Sequence, residues 1–151
     1  MKIYHLKREQ FVKHSRDEVF EFFGKADNLE RITPSSLGFN LLTPAPIRMH
    51  TGTLIDYTVK PMGFPIRWRT MITEFDPPNG FTDEQLKGPY SFWHHKHTFK
   101  DEDNGTLITD EVRYVIPFGI FGRFAYLLFI RRQLKKIFDF REKAVAEIFN
   151  G

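Results

Sequence analysis

The chain has no cysteine among its 151 residues, so disulfides, thiolate metal sites and cysteine nucleophiles are excluded. No serine lies in a recognisable nucleophile turn, which removes the usual serine-hydrolase signature. The longest strongly apolar run, Phe124 to Ile130, is far too short to span a bilayer. Charge interrupts the N-terminal stretch Met1-Lys2-Ile3-Tyr4-His5-Leu6-Lys7-Arg8, so no signal peptide is visible and a cytoplasmic protein is expected. No internal repeat, linker or low-complexity segment breaks the chain. One domain over residues 1–151 is therefore expected, large enough to bury a real core.

Aromatic residues are plentiful: 16% of the chain, 17 of them Phe, which indicates a folded domain rather than disorder. The net charge is only +3, but it is unevenly spread. Residues 123–143 carry seven cations against Asp139 and Glu142. The plain reading is the solvated face of an amphipathic helix. The same helix also suits a transient contact with an anionic membrane surface, and no nucleic-acid partner is assigned.

Residues 2–13 read as a strand. Ser15 and Glu18 have capping-box spacing before Val19, Phe20, Phe22 and Phe23, and Asp27 with Glu30 repeats that spacing before a second short helix that Pro34 ends. Strands are expected at about 38–43, 52–60, 65–75, 80–87, 91–100 and 105–116, separated by Pro- and Gly-bearing turns. From about Phe121 to Phe149 the period becomes helical, with Leu127, Ile130, Leu134, Ile137, Phe138, Val145 and Ile148 as the apolar stripe. The order is strand, two short helices, six strands, long helix: an α+β chain in which the helix stripe must bury against a curved antiparallel sheet.

Period 2 then gathers an unusual face. Phe81, Asp83 and Gln85 share one side of a strand; Trp93, His95, His97 and Phe99 share one side of the next. Such a face is too polar for a plain core and too aromatic for solvent, and it suits a ligand pocket wall. Asn104-Gly105 is the strongest hairpin signal. With those two residues as the turn, Asp103 opposes Thr106, Phe99 opposes Asp110, His97 faces Val112, and His95 faces Tyr114. Asp110 is then diagonal to His97; a two-residue slip puts it directly opposite and leaves the faces unchanged. Tyr57, Trp68 and Ile72 add a further inward stripe, and Leu127 and Leu134 face it from the helix.

Three readings fit the histidine cluster. His97 and Asp110 form a satisfied structural pair; the histidines hydrogen-bond the polar head of an apolar ligand; or they do chemistry. For chemistry, His97 with Asp110 is the candidate acid–base pair. His95 and His97 with Asp110 make only a sparse ligand set, so no metal and no other cofactor is assigned. The segment Phe118 to Phe124 reads either as a tight strand-to-helix turn or as a mobile gate. Phe121, Phe124, Tyr126, Leu128 and Phe129 exceed one helix stripe, so membrane docking or a weak dimer contact is expected there beside an otherwise monomeric chain.

Ile32-Thr33-Pro34, Gly52-Thr53 with Asp56-Tyr57, Pro65-Ile66-Arg67-Trp68 and Asp76-Pro77-Pro78 open a set of motifs that continues through Phe81, Asp83, Gln85 and Gly88-Pro89-Tyr90. Trp93, His95, His97, Phe99, Gly105-Thr106, Asp110, Tyr114, Pro117-Phe118-Gly119 and Ile137-Phe138 with Arg141 complete it. As a set this resembles the START-like, helix-grip superfamily, in particular the bacterial SRPBCC ligand-binding proteins of polyketide cyclase/dehydrase-like type, sometimes called cell-division-inhibitor-like. His94 makes the histidine cluster denser than that pattern. The resemblance implies a seven-stranded antiparallel sheet wrapped around a long C-terminal helix, with two short helices after the first strand. It also implies a cavity for a small hydrophobic ligand such as a lipid, sterol or polyketide. Some relatives are cyclases, dehydratases or hydrolases and others only bind. The expected role is hydrophobic-ligand binding, with the enzyme as alternative.

Overall fold

The computed structural model describes residues 2–150. Strand β1 (Tyr4–Val12) leads through Ser15 into helix α1 (Arg16–Phe23). The Ser15 hydroxyl accepts the Glu18 N–H at 3.2 Å, while the Glu18 carboxylate takes His14 Nδ1 at 2.8 Å, so only half of the predicted capping box forms. The second short helix is a 3₁₀ segment, Ala26–Ile32, capped without a side chain by Lys25. Asp27, predicted to cap it, accepts the Ile47 N–H instead. Pro34 separates this segment from a further 3₁₀ turn, Ser35–Leu37.

Six strands follow: β2 (Asn40–Leu41), β3 (Leu54–Val59), β4 (Ile66–Asp76), β5 (Gly80–Lys87), β6 (Phe92–Glu102) and β7 (Gly105–Val115). They join β1 in one antiparallel sheet of order β1-β7-β6-β5-β4-β3-β2. Register shifts between β4 and β5, at Arg69/Thr70 and Ile72/Glu74, bend it. The predicted strand 38–43 shrinks to the two residues of β2. On the outer face Arg69 holds Asp56 by two bonds, at 2.8 and 3.1 Å.

The β6–β7 hairpin corrects the predicted turn. Glu102 pairs with Gly105, so the turn is Asp103-Asn104, with φ of 43° and 63° as a type I′ turn requires. Asp and Asn tolerate that conformation. Gly105 is needed for a different reason: a Cβ there would strike the Val12 carbonyl oxygen and the Phe11 ring. The ladder is thus the two-residue slip, with His97 opposite Asp110, His95 opposite Val112, and Trp93 opposite Tyr114.

After β7 the chain turns at Phe118 into α2 (Gly119–Ala125), a π-helical stretch (Tyr126–Ile130) and α3 (Arg131–Asn150). Leu134, Phe138 and Val145 carry the buried stripe of α3. Leu134 and Phe138 pack with Trp68, Trp93, Val112 and Tyr114; Val145 joins Val12, Phe20, Phe81, Phe99 and Ile108. The edge strand β1 is stitched to α3 by Arg8, whose guanidinium donates to Asp139 at 2.8 Å and to Glu142 at 3.3 Å. No helix among the described residues is long and apolar enough to cross a membrane.

The closeness of β5 and β6 is testable at Gly80, where a Cβ would collide with the His97 carbonyl oxygen. Gly80→Ala is expected to cost about 2 kcal/mol, a fall of roughly 5 °C in Tm by thermal denaturation. An unchanged Tm would contradict this packing.

Candidate functional site

Between sheet and C-terminal helix lies a cavity of about 570 Å³. Its lining is mostly aromatic and aliphatic, with Asp83, His95, His97 and Arg141 gathered where β5, β6 and α3 meet. The register explains the gathering. Asp83 is opposite His95, and Asp110 is opposite His97. Each carboxylate makes its short bond to the diagonal histidine. His97 Nε2 lies 2.6 Å from Asp83 Oδ2, and His95 Nε2 lies 2.8 Å from Asp110 Oδ1. The imidazoles stack on one another with centroids 3.7 Å apart, and Phe81 stacks on His97 at 4.2 Å. Arg141, one helix turn from Phe138, donates to Asp110 Oδ1 at 3.1 Å and lies 3.4 Å from His97 Nδ1.

The pairing differs from the one the sequence suggested. His97 and Asp110 face each other, but at 3.4 Å through Nδ1; the short partner of His97 is Asp83. Asp110 sits behind the histidines, off the cavity wall, and Asp83 is the carboxylate that lines it.

Burial by itself would raise both carboxyl pKa values. The Arg141 charge and bonds to both histidines nevertheless hold Asp110 well below the usual range, and the His97 bond with nearby positive charge lowers Asp83. Burial, reinforced by the neighbouring His97, lowers His95. For His97 burial also acts downward, but its bonds to Asp110 and Asp83 outweigh it and the pKa rises. The two carboxylates are met by the Arg141 guanidinium and by hydrogen bonds from the two histidines. Asp83, His95 and His97 also bring metal-donor atoms within 4.8 Å of one another, with Asp83 in the place the sequence reading gave Asp110.

Of the residues expected to form the wall, Tyr57, Trp68, Ile72, Phe81, Asp83, Trp93, His95, His97 and Leu134 line the cavity. Five do not. The Gln85 amide is spent on the β5–β6 turn, bonding the Tyr90 carbonyl at 2.7 Å and the Tyr90 N–H at 3.1 Å. Val112 and Tyr114 are buried in the core on the far side of the β6 side chains, and Asp110 is screened by the histidines. Leu127 is exposed: it lies within the π-helical stretch, where Tyr126 turns inward onto Tyr4 instead. The sequence reading missed Arg141 as a wall residue. Its spacing was the available signal, since Leu134, Phe138, Arg141 and Val145 form one continuous inward stripe. It also missed one buried atom: Trp68 Nε1 has no hydrogen-bond partner within the protein.

No protein-family model matches the chain, and no curated protein matches it in sequence. Solved structures do. The TTHA0849 protein of Thermus thermophilus superposes with a TM-score of 0.74 at 16% identity, covering 96% of this chain and 99% of that one. The Zhui aromatase/cyclase of Streptomyces gives 0.71 at 14% identity over 97% and 96% of the two chains. A norcoclaurine synthase of Thalictrum, solved as a point mutant with a transition-state analogue, gives 0.66 at 16% identity over 97% and 96%. The chain has the START-like helix-grip fold. In this helix-grip protein the buried polar contact between helix and sheet is made by Arg141.

Removing the shared carboxylate tests the cluster. Asp110→Asn removes the negative charge that meets Arg141 and both histidines and is expected to lower unfolding free energy by about 3 kcal/mol in urea denaturation. The pH dependence has two arms. His97 holds its proton above the ordinary 6.5, so its contribution is complete below 6.5 and is lost as pH rises through its folded value. His95 runs the other way, contributing above 6.5 and losing that contribution as pH falls through its lowered value. Stability is expected to peak near pH 6.5, and His97→Asn to flatten the alkaline arm relative to wild type.

Proposed function

We propose that this protein binds a small, largely hydrophobic molecule bearing at least one polar group. The observation that carries this reading is a roomy, largely apolar cavity with a cluster of polar side chains on its wall. The Asp83–His97 pair and Arg141 supply the polar anchor, and the aromatic walls supply burial. A lipid, sterol or polyketide-like compound has the matching character.

The second reading is an enzyme of cyclase, dehydratase or hydrolase type. One observation favours it: His97, with its raised pKa, and Asp83 form a proton-holding pair at the cavity wall. The same fold hosts the aromatase/cyclase and norcoclaurine synthase neighbours, although a fold does not fix a reaction. Against it, the pair is already hydrogen-bonded within the protein, as a structural anchor would be.

Native mass spectrometry of the purified protein, followed by denaturing extraction, is expected to release an apolar small molecule. With that compound in hand, His97→Asn should keep binding within about tenfold for a binder, about one hydrogen bond's worth. A loss of turnover of about a hundredfold or more in that variant would establish the acid–base enzyme instead.

A further inference from the structure

Six large apolar side chains after β7 belong to neither core. Phe118 is 81% exposed, Phe121 78%, Leu128 74%, Ile120 64%, Leu127 61% and Phe124 59%. Folding gains nothing from them, and surface of this kind in so short a segment marks an interaction site. Phe118 goes further: it adopts φ of 73°, a conformation unfavourable for a bulky residue, and still presents its ring to solvent. From the opposite side, the β3–β4 turn adds exposed Met62 and Phe64, and it is tied to α3 by Gln133 Nε2 donating to the Pro61 carbonyl at 3.1 Å. Phe118, Phe121 and Met62 also line the cavity. The exposed apolar surface therefore borders the cavity mouth.

Its charge identifies the occupant. Between residues 118 and 138 there are five cations, Arg123, Arg131, Arg132, Lys135 and Lys136, and no carboxylate. All five are exposed, and Lys135 pairs with Asp139, just beyond the stretch, at 2.7 Å. Apolar side chains next to a predominantly cationic stretch are the pattern of a helix lying in an anionic lipid interface. A second copy of this chain is a poor occupant, because two-fold pairing of the same surface would bring its five cations near their counterparts. We propose that α2 and the π-helical stretch insert into the interface of an anionic phospholipid bilayer and set the cavity mouth against it. This rests on the hydrophobic-ligand reading and adds its route: the ligand passes between bilayer and cavity without crossing water.

The test is vesicle co-sedimentation of the whole chain. It uses phosphatidylcholine vesicles with or without roughly one-quarter phosphatidylglycerol. Binding is expected with the anionic vesicles only and should weaken as salt is raised. Ile120→Ser/Phe124→Ser/Leu128→Ser alters three exposed positions outside the cavity lining and should reduce vesicle binding about tenfold or more. The same variant should keep wild-type energy transfer from Trp68 and Trp93, the chain's two tryptophans, to the probe ANS bound in the cavity. No binding to anionic vesicles overturns the proposal, as does binding that the triple variant leaves unchanged. So does a concentration-dependent dimer, abolished by that variant, in a protein that ignores vesicles. Cavity probe binding without vesicle binding would sink the membrane contact alone; vesicle binding with no probe uptake would sink the ligand reading.

Discussion

The Asp110 carboxylate is the constraint on which the rest of the structure turns. It is buried, it accepts from Arg141 and His95, and it lies 3.4 Å from the Nδ1 of His97. Those contacts join three separate parts of the chain: β7, β6 and α3. Arg141 could not be carried into the interior on an amphipathic helix without a fixed negative charge to meet it. Asp110 in turn could not face inward on β7 without that guanidinium. Apolar packing through Leu134, Phe138 and Val145 presses the helix onto the sheet, but it is non-directional. The charge-assisted bonds fix where along the sheet the helix stops. The cavity is the space that this fixed stop leaves unfilled.

Because the carboxylate is consumed behind the histidines, the face turned to the cavity differs from the face turned to the core. Asp83 and one edge of the histidine stack remain available, while Asp110 and part of Arg141 hold them in place. Each carboxylate stands across the ladder from one histidine and binds the other, a geometry that crosses the pairs and holds the two rings stacked. The stack leaves little freedom for ring rotation, so the polar anchor is organised before any ligand arrives. Trp68 is the reverse case: it lies one strand further on, beyond reach of the cluster, and its Nε1 ends unpaired.

Much of this was legible in the sequence, for a physical reason. Period-2 alternation fixes which face a strand residue occupies regardless of ladder register, so placing His95, His97 and Asp110 on one face survived a two-residue error at the turn. The error itself came from reading Gly105 as a turn glycine, when close approach to β1 is what forbids a side chain there. Gln85 and Tyr114 show a second limit. Alternation says inward, but not whether inward means cavity, core or a turn's backbone. The partner choice of the histidines was likewise out of reach, because it depends on how the strands twist past one another. Arg141 was readable from its stripe and was overlooked because the surrounding cations drew it into the solvated face.

Leu127 shows most clearly how a local irregularity separates two tasks. In an uninterrupted helix it would continue the stripe of Leu134 and Phe138 and help fill the cup. The π-helical stretch, to which Leu127 belongs, admits an additional residue into the turn and so changes which side chains continue the α3 stripe. Tyr126 then takes the inward place, stacking on Tyr4 at 3.9 Å, and Leu127 and Leu128 turn outward beside Phe124. One irregular turn thus removes a core-filling leucine from the cavity and adds it to the apolar rim. Stability would favour the regular helix, which buries that side chain at a gain of about 1.5–3 kcal/mol. A chain that forgoes this gain at the mouth of its only large cavity among the described residues has its apolar surface arranged for something that arrives from outside.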